Sequence, residues 1–195
     1  MIYLVRHGQT DFNAIRRYQG QVESDLTVLG RAQARAVGAR LAGLIGDTPV
    51  VLYASPLRRA QDTARIIAAG LPFAPEVMLD PRLMEVGMGD WDGLMDGEIE
   101  ARRPGARDGL PPGMWFFHGP NGERYQGFRA RLGAALARVA ADPIAVRIVV
   151  SHGVAGRVLR GRHAGLTAVE EGALDVPQDA FFALEPGGGV RRIAA

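Results

Sequence analysis

The 195-residue chain has no cysteine. Disulfides, thiolate metal sites and a cysteine nucleophile are therefore excluded. It has no lysine either; all 23 basic residues are arginine. That removes the phosphate-binding lysine of Walker-A loops and every lysine Schiff base. Charge of one sign is not in excess: the formal net charge is +2, with no basic tail and no charge block. Nucleic-acid binding is not expected on that balance. No apolar run approaches the roughly 18 residues of a membrane span. The N-terminus reads as a strand followed at once by charge, not as a secretory leader. The expected compartment is cytoplasmic, with no membrane partner.

What is present suits a globular protein. Apolar residues make up 47% and charged residues 23%, and the length fits one domain spanning residues 1–195. Short unbroken apolar runs at Ile2–Val5, Val50–Ala54 and Val146–Val150 read as strands covered on both faces. Helical patterns lie between them. Thr27 caps one that runs to about Gly43, and Ser55-Pro56 supplies the N-cap and first position of the next. Phe128, Leu132, Leu136 and Val139 mark a third, and Gly153–Arg162 a fourth. Two runs, Ala180–Leu184 and Val190–Ile193, flank Pro186-Gly187-Gly188-Gly189 and read as a hairpin. The expected fold is α/β: three layers, a mostly parallel sheet with helices on both faces, and a C-terminal hairpin. Residues 87–122, rich in Gly, Pro and aromatics, read as an excursion over the site with a short helix near Asp96–Arg102. Trp91, Trp115, Phe116, Phe117 and Tyr125 are expected to form its small core, the alternative being an apolar wall of the substrate pocket.

Two of these strands end in His-Gly. Arg6-His7-Gly8 follows the first, and His152-Gly153 follows Ile148-Val149-Val150. Ligands of such sheets gather at the carboxyl ends of strands. Adjacent strands would bring two imidazoles and an arginine to one point, a constellation suited to a phosphoryl group. A neutral imidazole can attack phosphorus, and Arg forks bond phosphoryl oxygens in pairs.

The surroundings carry a resemblance. Arg6-His7-Gly8-Gln9-Thr10-Asp11-Phe12-Asn13 continues to Gln19-Gly20, Asp25-Leu26-Thr27 and Gly30. Then come Ser55-Pro56-Leu57-Arg58-Arg59-Ala60-Gln61-Asp62-Thr63-Ala64, Glu85 ahead of Gly89-Asp90-Trp91-Asp92-Gly93-Leu94, and Ser151-His152-Gly153. These landmarks, in this order over residues 2 to about 165, resemble the histidine phosphatase superfamily, in its phosphoglycerate-mutase-like branch. The resemblance implies that His7 is the phosphorylated nucleophile. It implies that Arg6, His152 and an arginine of the second motif bind the phosphoryl group. Helical periodicity does not separate Arg58 from Arg59; the family pattern selects Arg59, the one directly before Ala. The resemblance also implies Glu85 as general acid and places Asn13, Gln19 and Gly20 near the phosphate. Asp90, Asp92 and Glu98 read as surface acids, and Glu123 as an acid in a first helical turn. His118 reads as a loop histidine and His163 as a solvated one.

The resemblance thus implies a metal-independent histidine phosphatase: a phosphomonoester hydrolase acting on a small phosphorylated metabolite through a phosphohistidine. It needs no cofactor and no metal, since the arginines supply the positive charge. The alternative is a 2,3-bisphosphoglycerate-dependent phosphoglycerate mutase. Such mutases commonly carry Asn-Ser after the second His-Gly, where this chain has Val154-Ala155, although Arg102, Arg103 and Arg107 could still meet a carboxylate. A second alternative is a catalytically silent module that binds phospho-ligands. The expected partner is the small-molecule substrate, and the chain is expected to be a monomer or homodimer.

Overall fold

A computed structural model describes residues 1–111 and 113–195. Among the described residues the sheet has six strands in the order β3-β2-β4-β1-β5-β6. These are β1 (Ile2–Arg6), β2 (Val50–Ala54), β3 (Val77–Leu79), β4 (Val146–Ser151), β5 (Ala180–Leu184) and β6 (Val190–Ala194). The first four are mutually parallel; β5 runs antiparallel to β1, and β6 antiparallel to β5. The mostly parallel sheet and the C-terminal hairpin are thus as expected. The edge strand β3 was not legible, being three residues long with two of them exposed.

Side chains alternate across the sheet. Tyr3 and Val5 face α2 (Val28–Ile45) and α3 (Arg58–Ala69), against Val37, Leu41, Ala60, Ala64 and Ile67. Ile2 and Leu4 face the other core, which holds Phe128 and Leu132 of α5 (Tyr125–Ala141) and Val158 and Leu159 of α6 (Gly153–Ala164). Helices therefore cover both faces. Among the described residues, three short α-helices, α1 (Asp11–Ala14), α4 (Asp96–Arg102) and α7 (Ala168–Ala173), join three 3-10 turns at Pro81–Leu83, Gly89–Trp91 and Trp115–Phe117. Of these, α4 has the expected bounds.

The central pair fixes the site. β1 and β4 run in parallel register with Arg6 opposite Ser151. One residue further, the His7 N–H donates to the Ser151 carbonyl at 3.0 Å. His7 and His152 therefore leave the same sheet edge side by side.

Helix starts explain two departures. Thr27 caps α2 as expected, its hydroxyl accepting from Gly30 N at 3.0 Å. Ser55-Pro56 does not cap α3, which begins at Arg58 with no side-chain cap from Leu57. The Glu23 carboxylate accepts the Arg58 N–H instead, at 3.0 and 3.2 Å, from a distant loop. The excursion's aromatics divide. Trp91 and Phe117 are buried core; Trp115 and Phe116 are half-buried and stacked, with centroids 4.1 Å apart.

Candidate active site

A cavity of about 650 Å³ opens at the carboxyl edge of β1 and β4. Its wall includes Arg6, His7, Asn13, Gln19, Gly20, Arg59 and Glu85. His152 lies directly behind, its ring centroid 5.2 Å from that of His7. All eight expected site residues are therefore brought together.

His7 is buried, and its Nδ1 lies 2.8 Å from the Gly8 carbonyl. A carbonyl only accepts, so Nδ1 carries the proton and Nε2 keeps its lone pair. Burial, then the charges of Arg59 and Arg6, press the His7 pKa well below its ordinary 6.5. The imidazole is thus neutral at physiological pH, the form that attacks phosphorus. The turn after it needs glycine. A Cβ on Gly8 would sit 2.2 Å from the Gly30 carbonyl oxygen at the start of α2. The Gly8 N–H donates to Thr63 Oγ1 on α3 at 3.1 Å, which locks the turn to the helix carrying Arg59.

Arg59 is 1% exposed, whereas the Arg58 side chain is 59% exposed and pairs with Asp25 at 3.0 Å. The structure thereby separates two residues that periodicity could not. Arg59 is aimed by two carbonyls, Gly20 at 2.7 Å and Val22 at 2.9 Å. Gly20 has φ of +51°, and a Cβ there would lie 1.6 Å from Asp92 Oδ1. Asp92 is thus no surface acid. Its carboxylate accepts from Met88 N at 2.8 Å and Gln21 N at 3.3 Å, and burial raises its pKa.

Burial likewise lowers Arg6 to about 10, opposed by the Glu85 carboxylate and furthered by Arg157 and Arg59. It remains a cation at neutral pH. Its NH1 donates to the Val176 carbonyl. His152 is also buried; burial first, then Arg59, His7 and Arg6, push its pKa well below 6.5. It is a neutral donor, not a cationic one. Its Nε2 lies 2.8 Å from Ser55 Oγ. When the Ser55 hydroxyl donates there, the ring proton sits on Nδ1.

Four buried side-chain nitrogens have no hydrogen-bond partner among the described residues. Three of them are Arg6 Nε, Arg59 Nε and His152 Nδ1. Buried donors are ordinarily satisfied. Their clustering around one imidazole marks a place built for an oxygen-rich anion.

Glu85 caps α6. Its Oε2 accepts from Val154 N at 3.0 Å, and its Oε1 from Ala155 N at 2.9 Å and Val86 N at 3.1 Å. His152, the N-cap residue, makes no side-chain cap of its own. Asn13 Oδ1 accepts from Thr10 N at 3.2 Å and from Gln178 Nε2 at 3.0 Å. Gln19 Oε1 accepts from Ser24 at 2.6 Å.

Several expectations outside the site change. Glu123 precedes α5 rather than joining its first turn, and its carboxylate is held by Arg131 at 2.7 and 2.8 Å. His163 is half-buried, with Nε2 2.8 Å from the Glu185 carbonyl. Glu98 pairs with Arg17 at 3.1 Å. Arg102 and Arg103 are exposed, and Arg107 pairs with Asp96 at 2.6 Å; none of the three lines the cavity. Arg157 does line it, with Nε donating to the Leu174 carbonyl at 2.6 Å. Sequence reasoning passed over Arg157, Ser55 as a histidine partner, Thr63 and Gln178. Ser55 and Thr63 stand inside the second motif; Arg157 and Gln178 carry no local signal. Among the described residues, no three His, Asp or Glu side chains gather as a metal-ligating group. No helix of the described residues is long and apolar enough to cross a membrane.

A sheet edge with two buried histidines, flanked by Arg6 of β1 and the buried Arg59 of α3, defines a phosphoryl-transfer protein. The chain belongs to the histidine phosphatase superfamily, branch 1, whose family model matches residues 2–194. It is 41% identical over 171 residues to the probable phosphoglycerate mutase GpmB of Enterobacter sp. (strain 638), covering 87% of this chain and 77% of that one. It is 44% identical over 106 residues to the glucosyl-3-phosphoglycerate phosphatase of Mycolicibacterium vanbaalenii, covering 54% of this chain and 45% of the relative. Among solved structures, Bacillus stearothermophilus YhfR superposes with a TM-score of 0.83 at 27% identity, over 99% of this chain and 95% of its own. A mycobacterial glucosyl-3-phosphoglycerate phosphatase complexed with VO3 gives 0.76 at 28% identity, over 99% and 96%.

Proposed function

We propose that this chain is a metal-independent phosphomonoester hydrolase that acts on a small phosphorylated metabolite. The observation that carries the reading is the His7 ring: Nδ1 committed to the Gly8 carbonyl and Nε2 left as a neutral nucleophile on the cavity wall. Arg6 and Arg59 balance the charge on the equatorial phosphoryl oxygens, with His152 and Asn13 as neutral donors. The His7 Nε2–phosphorus bond forms as the ester P–O bond breaks, and Glu85 gives its proton to the leaving alkoxide. Water then attacks the phosphohistidine, losing a proton to the Glu85 carboxylate. Inorganic phosphate and neutral His7 are regenerated.

A mutase must return the phosphoryl group to a second hydroxyl and keep water away. The apolar Val154 and Ala155 side chains beside Glu85 offer no polar group to hold such an acceptor. A silent module is disfavoured because nucleophile, arginines and acid converge on one cavity. The site residues described all come from one chain, so either a monomer or a homodimer can carry them. Small phosphorylated metabolites are cytoplasmic compounds, and the cytoplasm is the compartment this reading favours.

The test is p-nitrophenyl phosphate turnover with and without chelator, beside a phosphoglycerate mutase assay. Chelator-resistant hydrolysis supports the proposal. Isomerisation that depends on 2,3-bisphosphoglycerate and outpaces hydrolysis overturns it in favour of the mutase. A folded protein without turnover is the silent module.

A further inference from the structure

The segment 174–178, between α7 and β5, is tied to the site along its length. The Leu174 carbonyl accepts from Arg157, Asp175 pairs with Arg160 at 2.9 Å, and the Val176 carbonyl accepts from Arg6. Its last residue reaches furthest in. Gln178 Nε2 donates to the His7 carbonyl at 3.2 Å and to Asn13 Oδ1 at 3.0 Å.

The second bond has a chemical consequence. Asn13 Oδ1 has two lone pairs. One takes the Thr10 N–H and the other takes Gln178. A flipped Asn13 would turn its own N–H groups against two donors. The amide is therefore held with Oδ1 toward the backbone, leaving Nδ2 as its group free for the cavity that Asn13 lines.

We propose that Gln178 is a positioning residue for phosphoryl transfer, acting through Asn13 to keep the Nδ2–H₂ donor available to a phosphoryl oxygen. The role rests on the phosphatase reading for its chemistry, but not on turnover for its test. Gln178 has no contact with the phosphoryl group in this role. Its second bond, to the His7 carbonyl, is the rival route by which it could act.

A double-mutant cycle separates the two routes. Gln178→Met keeps the length and bulk of the side chain and removes both donors; Asn13→Ala removes the intermediary. Affinity for inorganic phosphate is read by calorimetry, and kcat/KM for p-nitrophenyl phosphate alongside it. Gln178→Met is expected to weaken phosphate about five- to tenfold, the scale of one lost hydrogen bond between polar groups. In an Asn13→Ala background the same change is expected to do nothing further. Losses that multiply overturn the proposal, since Gln178 then acts through His7 or through packing. Gln178→Glu supplies an independent check. Its carboxylate places acceptors against Asn13 Oδ1 and the His7 carbonyl, so it is expected to lose more than Gln178→Met; phosphate affinity equal to wild type overturns the proposal. If the wild type binds phosphate but turns over no ester, the phosphatase reading fails while the cycle still decides the role of Gln178.

Discussion

Glu85 Oε1 holds the backbone N–H of Ala155 at 2.9 Å, and Oε2 holds that of Val154 at 3.0 Å. The expected general acid is therefore also the cap of the helix that follows His152. The cap keeps the carboxyl beside Gly153, where an added Cβ would touch both Arg6 Nε and Glu85 Oε2 at 3.6–3.7 Å. Those are ordinary contact distances, so Arg6 and Glu85 flank the same residue at the start of α6.

The two duties of Glu85 separate experimentally. Glu85→Gln keeps an oxygen for one helix amide but cannot give a proton. We expect a loss of about 10²–10³ in kcat/KM for alkyl phosphates, the range of general acid catalysis, and little for p-nitrophenyl phosphate. Equal losses for both esters would leave Glu85 as a cap only. Glu85→Ala removes the cap as well and is expected to cost about 1 kcal/mol in denaturant unfolding.

Arg58 and Arg59 give a direct contrast. Arg59→Ala removes a buried cation at the reacting group, and kcat/KM is expected to fall about 100-fold or more. Arg58→Ala breaks only an exposed pair with Asp25 and is expected to stay within about twofold. Steady-state kinetics on the two purified variants checks this; a larger loss at Arg58 reverses the assignment.

Ser55 acts through His152. Ser55→Ala removes the hydroxyl 2.8 Å from Nε2 and leaves that ring free to change tautomer. Phosphate affinity is expected to weaken about tenfold with the fold intact. A Ser55→Ala protein with wild-type affinity for phosphate would mean that the Ser55 contact does not orient the ring.

The two buried histidines set a pH dependence of stability. Both have folded pKa values well below 6.5, with burial as the main cause. The unfolded chain takes up protons on them near 6.5, so it binds more protons than the native state as pH falls. Their share of stability is complete above 6.5 and is lost as pH drops below it. Melting temperature is expected to fall between neutral pH and about pH 5.5, less steeply for His152→Gln. Added phosphate is expected to offset part of the loss. Identical slopes for wild type and His152→Gln would show that His152 does not titrate on unfolding.

Much of this site was legible because its chemistry is local in sequence. His7 and His152 stand at the ends of apolar runs, and a parallel pair of such strands can only present them together. Glu85 and Arg59 were reachable through motif order, not through periodicity. What escaped notice was set by distance. Glu23 replaces Ser55-Pro56 as the cap of α3 because a loop 35 residues away folds onto that helix end. Asp92 reads as a surface acid in sequence, yet Gly20, with no side chain, lets its carboxylate pack against the turn at Gln19-Gly20. Gln178 lies 171 residues from the carbonyl it holds, and nothing in its neighbourhood marks it. The strand β3 is too short and too exposed to carry an apolar signature.

The central claim is that His7 accepts the phosphoryl group. Rapid acid-free quenching during turnover of an alkyl phosphate, followed by peptide mass spectrometry, tests it directly. An acid-labile, alkali-stable phosphoryl group on the peptide containing His7, lost in His7→Ala, is the result expected. Full turnover with no trapped phosphohistidine at His7, or hydrolysis surviving in His7→Ala, would contradict it.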